Sequence, residues 1–194
     1  MISFIVSANE RPHMLNCSLA SLAAQTVAGE IIVTLNHPDE QMNLAHRLAC
    51  TYFDARWLET GTRGAKCCYS AAGMGALETS GEWLCFPSDD SYYVPRFSEI
   101  ILRTAAEKQA DLVYCDCLYA VGDPKHSPNW RPYSVLNTQP RMGRIDKTCF
   151  IIRRELFKGF PPHPQGYRDG ALIEQLGKDG VKMAKAPGIL VVHN

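Results

Sequence analysis

Hydrophobic positions along the chain switch repeatedly between a strand-like run and a helical spacing. Ile2 to Ser7 is an apolar run that ends in the polar stretch Ala8-Asn9-Glu10-Arg11-Pro12, and Leu15, Leu19, Leu22 and Ala23 then recur at helical spacing up to Gln25-Thr26. Glu30 to Leu35 reads as a second buried strand, broken by Asn36-His37-Pro38. Met42, Ala45, Leu48 and Ala49 mark a second helix, and Ala55 to Leu58 a weak third strand. A helix of small residues, from about Lys66 to Glu78, leads to the short run Trp83 to Phe86. Pro95 opens another helix with Phe97, Ile100, Ile101, Leu102 and Ala105 as its stripe. Leu112 to Tyr119, Cys149 to Arg153 and Ile189 to His193 are further strands, with a helix over Gly170 to Lys178. Ala120 to Arg144 is polar, rich in Pro, Asn and Gly and without a clean period, the composition of a functional loop or a disordered segment.

This alternation predicts an α/β fold: one domain over residues 1–194, with a mostly parallel sheet and helices on both faces. At 194 residues the chain is long enough for a sizeable core, and 46% hydrophobic with 21% charged residues is ordinary for a globular protein. Lys+Arg and Asp+Glu are both 20, so nothing calls for a nucleic-acid partner. No apolar run approaches the length of a membrane helix, and Met1 leads almost directly into a strand. The expected location is therefore cytoplasmic, with a peripheral contact at the inner membrane face left open. The eight cysteines include no C-x-x-C pair, and Cys85, Cys115 and Cys149 lie in apolar strand runs. They read as reduced, buried thiols.

Candidate chemistry concentrates in Ser80-Gly-Glu-Trp-Leu-Cys-Phe-Pro-Ser-Asp-Asp-Ser91. Pro87 has no N–H to donate, so it stops the strand and leaves Asp89 and Asp90 at its carboxyl end, where open α/β sheets bind ligands. Two adjacent carboxylates repel, and a cation is the natural way to keep both ionised; a hard metal carrying a nucleoside diphosphate suits such a place. A solvated turn or helix cap accounts for the pair equally well on this segment alone.

The order of motifs over nearly the whole chain resembles a compact GT-A glycosyltransferase of the large family 2. The motifs are Val6-Ser7-Ala8-Asn9-Glu10-Arg11 after the first strand, Ser21-Leu22…Gln25-Thr26, Glu30 to Val33, and Thr79-Ser80-Gly81-Glu82-Trp83 before the acidic pair. Further on come Arg153 to Phe157 with Gly159-Phe160, and Arg168-Asp169…Leu172…Leu176…Gly180. The departures are Leu35 and Asn36 where the family often has two aspartates, Ala71-Ala72-Gly73-Met74-Gly75 where a diphosphate-facing Arg is usual, and Pro87 in place of the first acid of the metal motif.

The resemblance implies a donor-binding half (1–90) and an acceptor and catalytic half (91–194). Ser7, Asn9, Glu10, Arg11, Asn36 and Asp90 are its candidate donor-binding residues, with Asp90 either a second metal ligand or a residue that positions the sugar, and Arg63 or Lys66 could supply the missing phosphate charge. Asp89 and His193 are its candidate ligands for a divalent cation, manganese or magnesium, and Asp169 its candidate catalytic base. Each has a simpler reading: a polar loop for Asn9 to Arg11, a helix N-cap for Asp169, a surface histidine for His193. The implied activity is inverting transfer of a sugar from a nucleoside-diphosphate sugar, most simply a UDP-sugar, to an acceptor hydroxyl. Tyr92, Tyr93, Trp130 and Tyr133 could stack on a sugar, with Tyr92-Tyr93 alternation placing one in and one out; glycan, lipid and protein acceptors all stay open. Two alternatives remain: a sugar-nucleotide nucleotidyltransferase, whose glycine-rich loop Ser7 to Pro12 lacks, and a GT-A-like module that binds without turnover.

Overall fold

The computed structural model describes residues 1–35, 37–61, 68–120 and 133–194. In chain order these form β1 (Ile2–Ala8), α1 (Pro12–Ala23), β2 (Glu30–Leu35), α2 (Glu40–Tyr52), β3 (Arg56–Glu59), α3 (Cys68–Leu77), β4 (Trp83–Cys85), β5 (Ser91–Tyr93) and α4 (Phe97–Lys108). There follow β6 (Leu112–Ala120), β7 (Tyr133–Leu136), β8 (Phe150–Arg153), α5 (Arg168–Lys178) and β9 (Met183–His193). The strands make one sheet in the order β3-β2-β1-β4-β8-β6-β9-β5, with β7 also paired to β6. β1 is parallel to β2 and β4, and β2 to β3. β8 is antiparallel to both β4 and β6, so β6 runs with that group, and β9 lies parallel to β6. Their carboxyl ends consequently share one edge, which is where the candidate residues gather.

Period-two alternation splits the core between the two faces. Ile2, Phe4, Val6 and Ala8 of β1 pack on one side with Leu15, Leu19 and Leu22 of α1, Cys50 of α2, and Phe97 and Ile101 of α4. Ile5 of the same strand faces Ala72 and Ala76 of α3 on the other side, in a cluster that includes Leu172, Ile173 and Leu176 of α5. The small residues of α3 have a steric cause: a Cβ at Gly75 would come within 2.5 Å of Ile5 Cγ2 and 2.9 Å of Thr34 Cγ2. Larger side chains there would push the helix off the sheet.

Two of the resembling motifs turn out to hold the frame. Gln25 is buried, donating to Ser21 O (3.0 Å) and Val94 O (2.9 Å) while its Oε1 accepts from Ser98 N (2.9 Å), so it locks the end of α1 to the start of α4. Arg154 donates to Gly81 O (2.6 Å), Ala76 O (2.7 Å) and Thr79 Oγ1 (2.9 Å), tying the end of α3 to the entry of β4.

Three sequence expectations change. The stretch Ala120 to Arg144 is not all irregular, since β7 pairs antiparallel with the end of β6; its four residues carry no buried apolar alternation that would reveal it. β5 is a three-residue strand too short to show a period, and β9 begins at Met183, its apolar pattern hidden by Pro187 and Gly188 (φ +87°). The buried side of α2 is Asn43, His46, Ala49 and Cys50, whereas Leu44 and Leu48 are solvent-facing at 50% and 64% exposure. None of the described cysteines is disulfide-bonded, and Cys85, Cys115 and Cys149 are fully buried.

Candidate active site

The loop after β1 and the turn after β4 are zipped together. Ser7 N donates to Pro87 O (3.0 Å) and Asp89 N donates to Ser7 O (3.2 Å), continuing the parallel ladder past the proline through a Ser7–Ser88 bridge. This brings Asp89 and Asp90, only 2% and 4% exposed, under the Asn9-Glu10-Arg11 loop. Asn9 N donates to Asp89 Oδ2 (3.1 Å), and the Arg11 guanidinium forks across the pair, with Nη2 at 2.9 Å from Asp89 Oδ1 and Nη1 on Asp90 Oδ2. Burial pushes Asp89 above the ordinary carboxylate range, against the pull of Arg11 and the Asn9 N–H. Of the other predicted donor residues, Ser7 is buried with its hydroxyl donating to Cys68 O (3.3 Å), and Glu10 faces solvent. Asn36, Arg63, Lys66 and Trp130 lie outside the described residues.

Arg11 supplies the charge that the sequence suggested a metal would supply. Its own side chain is 42% exposed, so it closes the two buried acids from the solvent side. Arg11→Ala is expected to destabilise the fold by about 1–2 kcal/mol at pH 7, below the usual cost of orphaning a buried charge because this guanidinium is solvated. The loss should shrink as Asp89, which burial raises above the ordinary carboxylate range, takes up its proton. Denaturant melts at pH 7 and pH 4 check it, and equal losses at both would mean that Arg11 only packs.

On the other flank of Asp90 stands His193, at the end of β9. Its Nδ1 lies 3.5 Å from Asp90 Oδ1 and 3.1 Å from Ser91 Oγ, and its ring packs 5.2 Å from that of Tyr119. Asp90 Oδ1 is buried and makes no hydrogen bond among the described residues. Both oxygens of Asp89, in contrast, are engaged. Among the described residues, Asp90 Oδ1, facing His193, is thus better placed to meet a divalent cation than Asp89, whose oxygens are both engaged. No group of three His, Cys, Asp or Glu side chains among the described residues converges on such a point, so oxygens from a ligand would have to complete the shell.

Asp169 sits in the first turn of α5, 7% exposed. It is not the N-cap, a position held by Tyr167; its Oδ1 accepts from Gly170 N (2.8 Å) and its Oδ2 from Lys147 N (3.1 Å). Burial, reinforced by the neighbouring negative charge of Asp146, raises its pKa to about 6. Asp146 itself is held below the ordinary range: burial pushes it up, but His193, Lys147 and the Thr148 N–H and hydroxyl (2.9 and 2.8 Å) more than offset that.

Sequence reasoning missed Asp146, Lys147, Ser91 and Tyr119. Asp146 and Lys147 fall just beyond the stretch without a period. Their one usable signal is a charged pair one residue before the apolar run Cys149 to Ile152. Tyr93 is fully buried and Tyr92 44% exposed, as the alternation suggested, while exposed Tyr133 donates its hydroxyl to Asn194.

No family model matches this sequence, and no curated protein sequence matches it. Solved structures do. The Staphylococcus aureus protein TarS, residues 1–349, superposes with a TM-score of 0.72 at 14% identity, covering 100% of this chain and 60% of that one. The same protein in complex with UDP-GlcNAc gives 0.72 at 14%, covering 98% and 57%. The mannosyltransferase PcManGT from Pyrobaculum calidifontis, in complex with GDP-Man and Mn2+, gives 0.73 at 18%, covering 99% and 56%. The fold is thus the mixed α/β, GT-A-like architecture of these glycosyltransferases, and this chain spans somewhat over half of their length.

Proposed function

We propose that this chain is the catalytic domain of a glycosyltransferase that uses a nucleoside-diphosphate sugar, most simply a UDP-sugar, and inverts the anomeric centre. The observation that carries the reading is the convergence, at one sheet edge, of two nearly fully buried carboxylates, a histidine beside an oxygen of one of them that makes no hydrogen bond among the described residues, and a third buried carboxylate whose pKa is raised to about 6. The fold is that of enzymes captured with UDP, with UDP-GlcNAc, and with GDP-Man plus Mn2+.

In this reading Ser7, Asn9, Glu10, Arg11 and Asn36 border the nucleoside, and Arg11 with Arg63 or Lys66 faces the phosphates. Asp90 and His193 are the residues that would hold manganese or magnesium, with Asp89 fixing Arg11 and the loop. A divalent cation bound there would offset the charge that builds on the leaving nucleoside diphosphate. Asp169 accepts the acceptor hydroxyl's proton as that oxygen bonds to the anomeric carbon and the bond to the phosphate oxygen breaks. A pKa of about 6 suits the task, leaving the group ionised at pH 7 yet more basic than a free aspartate. The acceptor is a glycan, lipid or protein hydroxyl.

The test is release of nucleoside diphosphate from a panel of UDP- and GDP-sugars with and without Mn2+. Metal-stimulated release from at least one donor is expected. The Arg11 fork across the acid pair favours one rival, a module that binds without turnover. Tight binding of a donor with no release, with or without candidate acceptors, would establish that rival instead.

A further inference from the structure

Among the described residues Lys147 is the most enclosed cation of the site, 6% exposed, and its amine is fully committed. Nζ donates to Ser88 Oγ (2.9 Å), Phe86 O (3.2 Å) and Pro87 O (3.4 Å), the three residues that lead into Asp89 and Asp90. An ammonium has three N–H bonds, so three acceptors leave none for a ligand. The backbone N–H of the same residue donates to Asp169 Oδ2 (3.1 Å). One residue therefore grips both the turn that presents the acid pair and the candidate base, from a short 3-10 turn (Lys147–Cys149) placed just before β8.

We propose that Lys147 is a positioning residue that never touches substrate: its side chain pins the Phe86-Pro87-Ser88 turn, its main chain orients Asp169, and its charge is the fixed counterion between the two. This rests on the glycosyltransferase reading for its purpose, not for its geometry. Pro87 has no N–H to tether the turn, and the ammonium holds it through the Phe86 and Pro87 carbonyls and the Ser88 hydroxyl. The charged and titratable groups around Asp169 are Asp146 and Lys147 from the 3-10 turn and its approach, Tyr69 from α3, Tyr119 from β6, and Arg168 beside it on α5. Lys147 is the cation among them that pulls Asp169 toward its ionised form.

The experiment uses the full chain labelled with 13C at the aspartate carboxyls, without donor or metal, with the Asp169 signal assigned by its absence in Asp169→Asn. Wild-type Asp169 is expected to titrate near pH 6. In Lys147→Gln, which keeps a donor amide but no charge, and in Lys147→Met, the midpoint should move up by about one pH unit. Ser88→Ala keeps the charge and removes one anchor of the amine. It should leave the Asp169 midpoint in place and weaken UDP binding in the presence of Mn2+ by roughly 3–10-fold, the worth of one hydrogen bond. A folded Lys147 variant with an unmoved midpoint overturns the proposal. So does a pair of Lys147 variants that fail to fold while Ser88→Ala binds UDP as wild type does, for Lys147 is then packing alone. Failure of the donor-release panel would leave the titration result standing, so the two readings fail separately.

Discussion

Asp90→Asn is expected to abolish the stimulation of UDP binding by Mn2+, a loss of about two orders of magnitude in affinity under saturating metal. The carboxylate's Oδ1 is buried, makes no hydrogen bond among the described residues, and lies 3.5 Å from His193 Nδ1. An amide there has nearly the same shape but no charge, and losing one charged partner in a desolvated site costs about 2–5 kcal/mol. Stability should change little, because Asp89 keeps Arg11 and one of two repelling acids is neutralised. Asp89→Asn should behave differently. It weakens the contacts to Arg11 and Asn9 N, so nucleotide affinity falls with and without metal while the ratio between the two survives. Calorimetric titrations of both variants decide the matter: loss of metal dependence in Asp89→Asn, with retention in Asp90→Asn, would move the cation to Asp89.

That contrast shows what the sequence could and could not carry. The acid pair at a strand's carboxyl end follows from an apolar run, a proline and two aspartates, all local signals. The division of labour between the two acids depends on Arg11, 78 and 79 residues away in sequence, and on which oxygen each contact consumes. Local spacing cannot encode such a choice. The same holds for Lys147, whose partners Phe86 to Ser88 and Asp169 are brought to it by the antiparallel insertion of β8 between β4 and β6. The long strands β1, β2 and β6 were legible because each is apolar over most of its length, and β1 is buried on both faces. The edge pieces β5 and β7 were not: β5 is three residues long, too short to show a period, and the four residues of β7 are largely exposed. In α2, Leu44 and Leu48 are displaced from the core by Asn43 and His46. A helix whose inner face carries an amide and an imidazole cannot be oriented by hydrophobic spacing alone.

Asp169→Asn carries the largest expected effect on turnover, a fall of about 10²–10⁴, because removing a positioned general base forfeits that much. Donor affinity should hardly change, since no contact links Asp169 to Arg11, Asp89 or Asp90 among the described residues. In the wild type the rate should decline below about pH 6, where Asp169 takes up its proton, and this acidic limb should vanish from whatever activity the variant retains. Stability gives an independent reading with a definite sign. The folded pKa lies above the ordinary 3.8, so ionising Asp169 works against the fold: stability is fullest below pH 4 and declines as pH rises through about 6. Two pH units correspond to about 3 kcal/mol. Asparagine removes that penalty but also one acceptor for the Lys147 or Gly170 N–H, at a cost of about 1 kcal/mol. The variant should therefore be slightly less stable than wild type at pH 4 and more stable at pH 7, with the crossing between. A variant that transfers sugar at the wild-type rate, and whose melts track wild type at both pH values, would leave Asp169 as a residue of the first helical turn and nothing more.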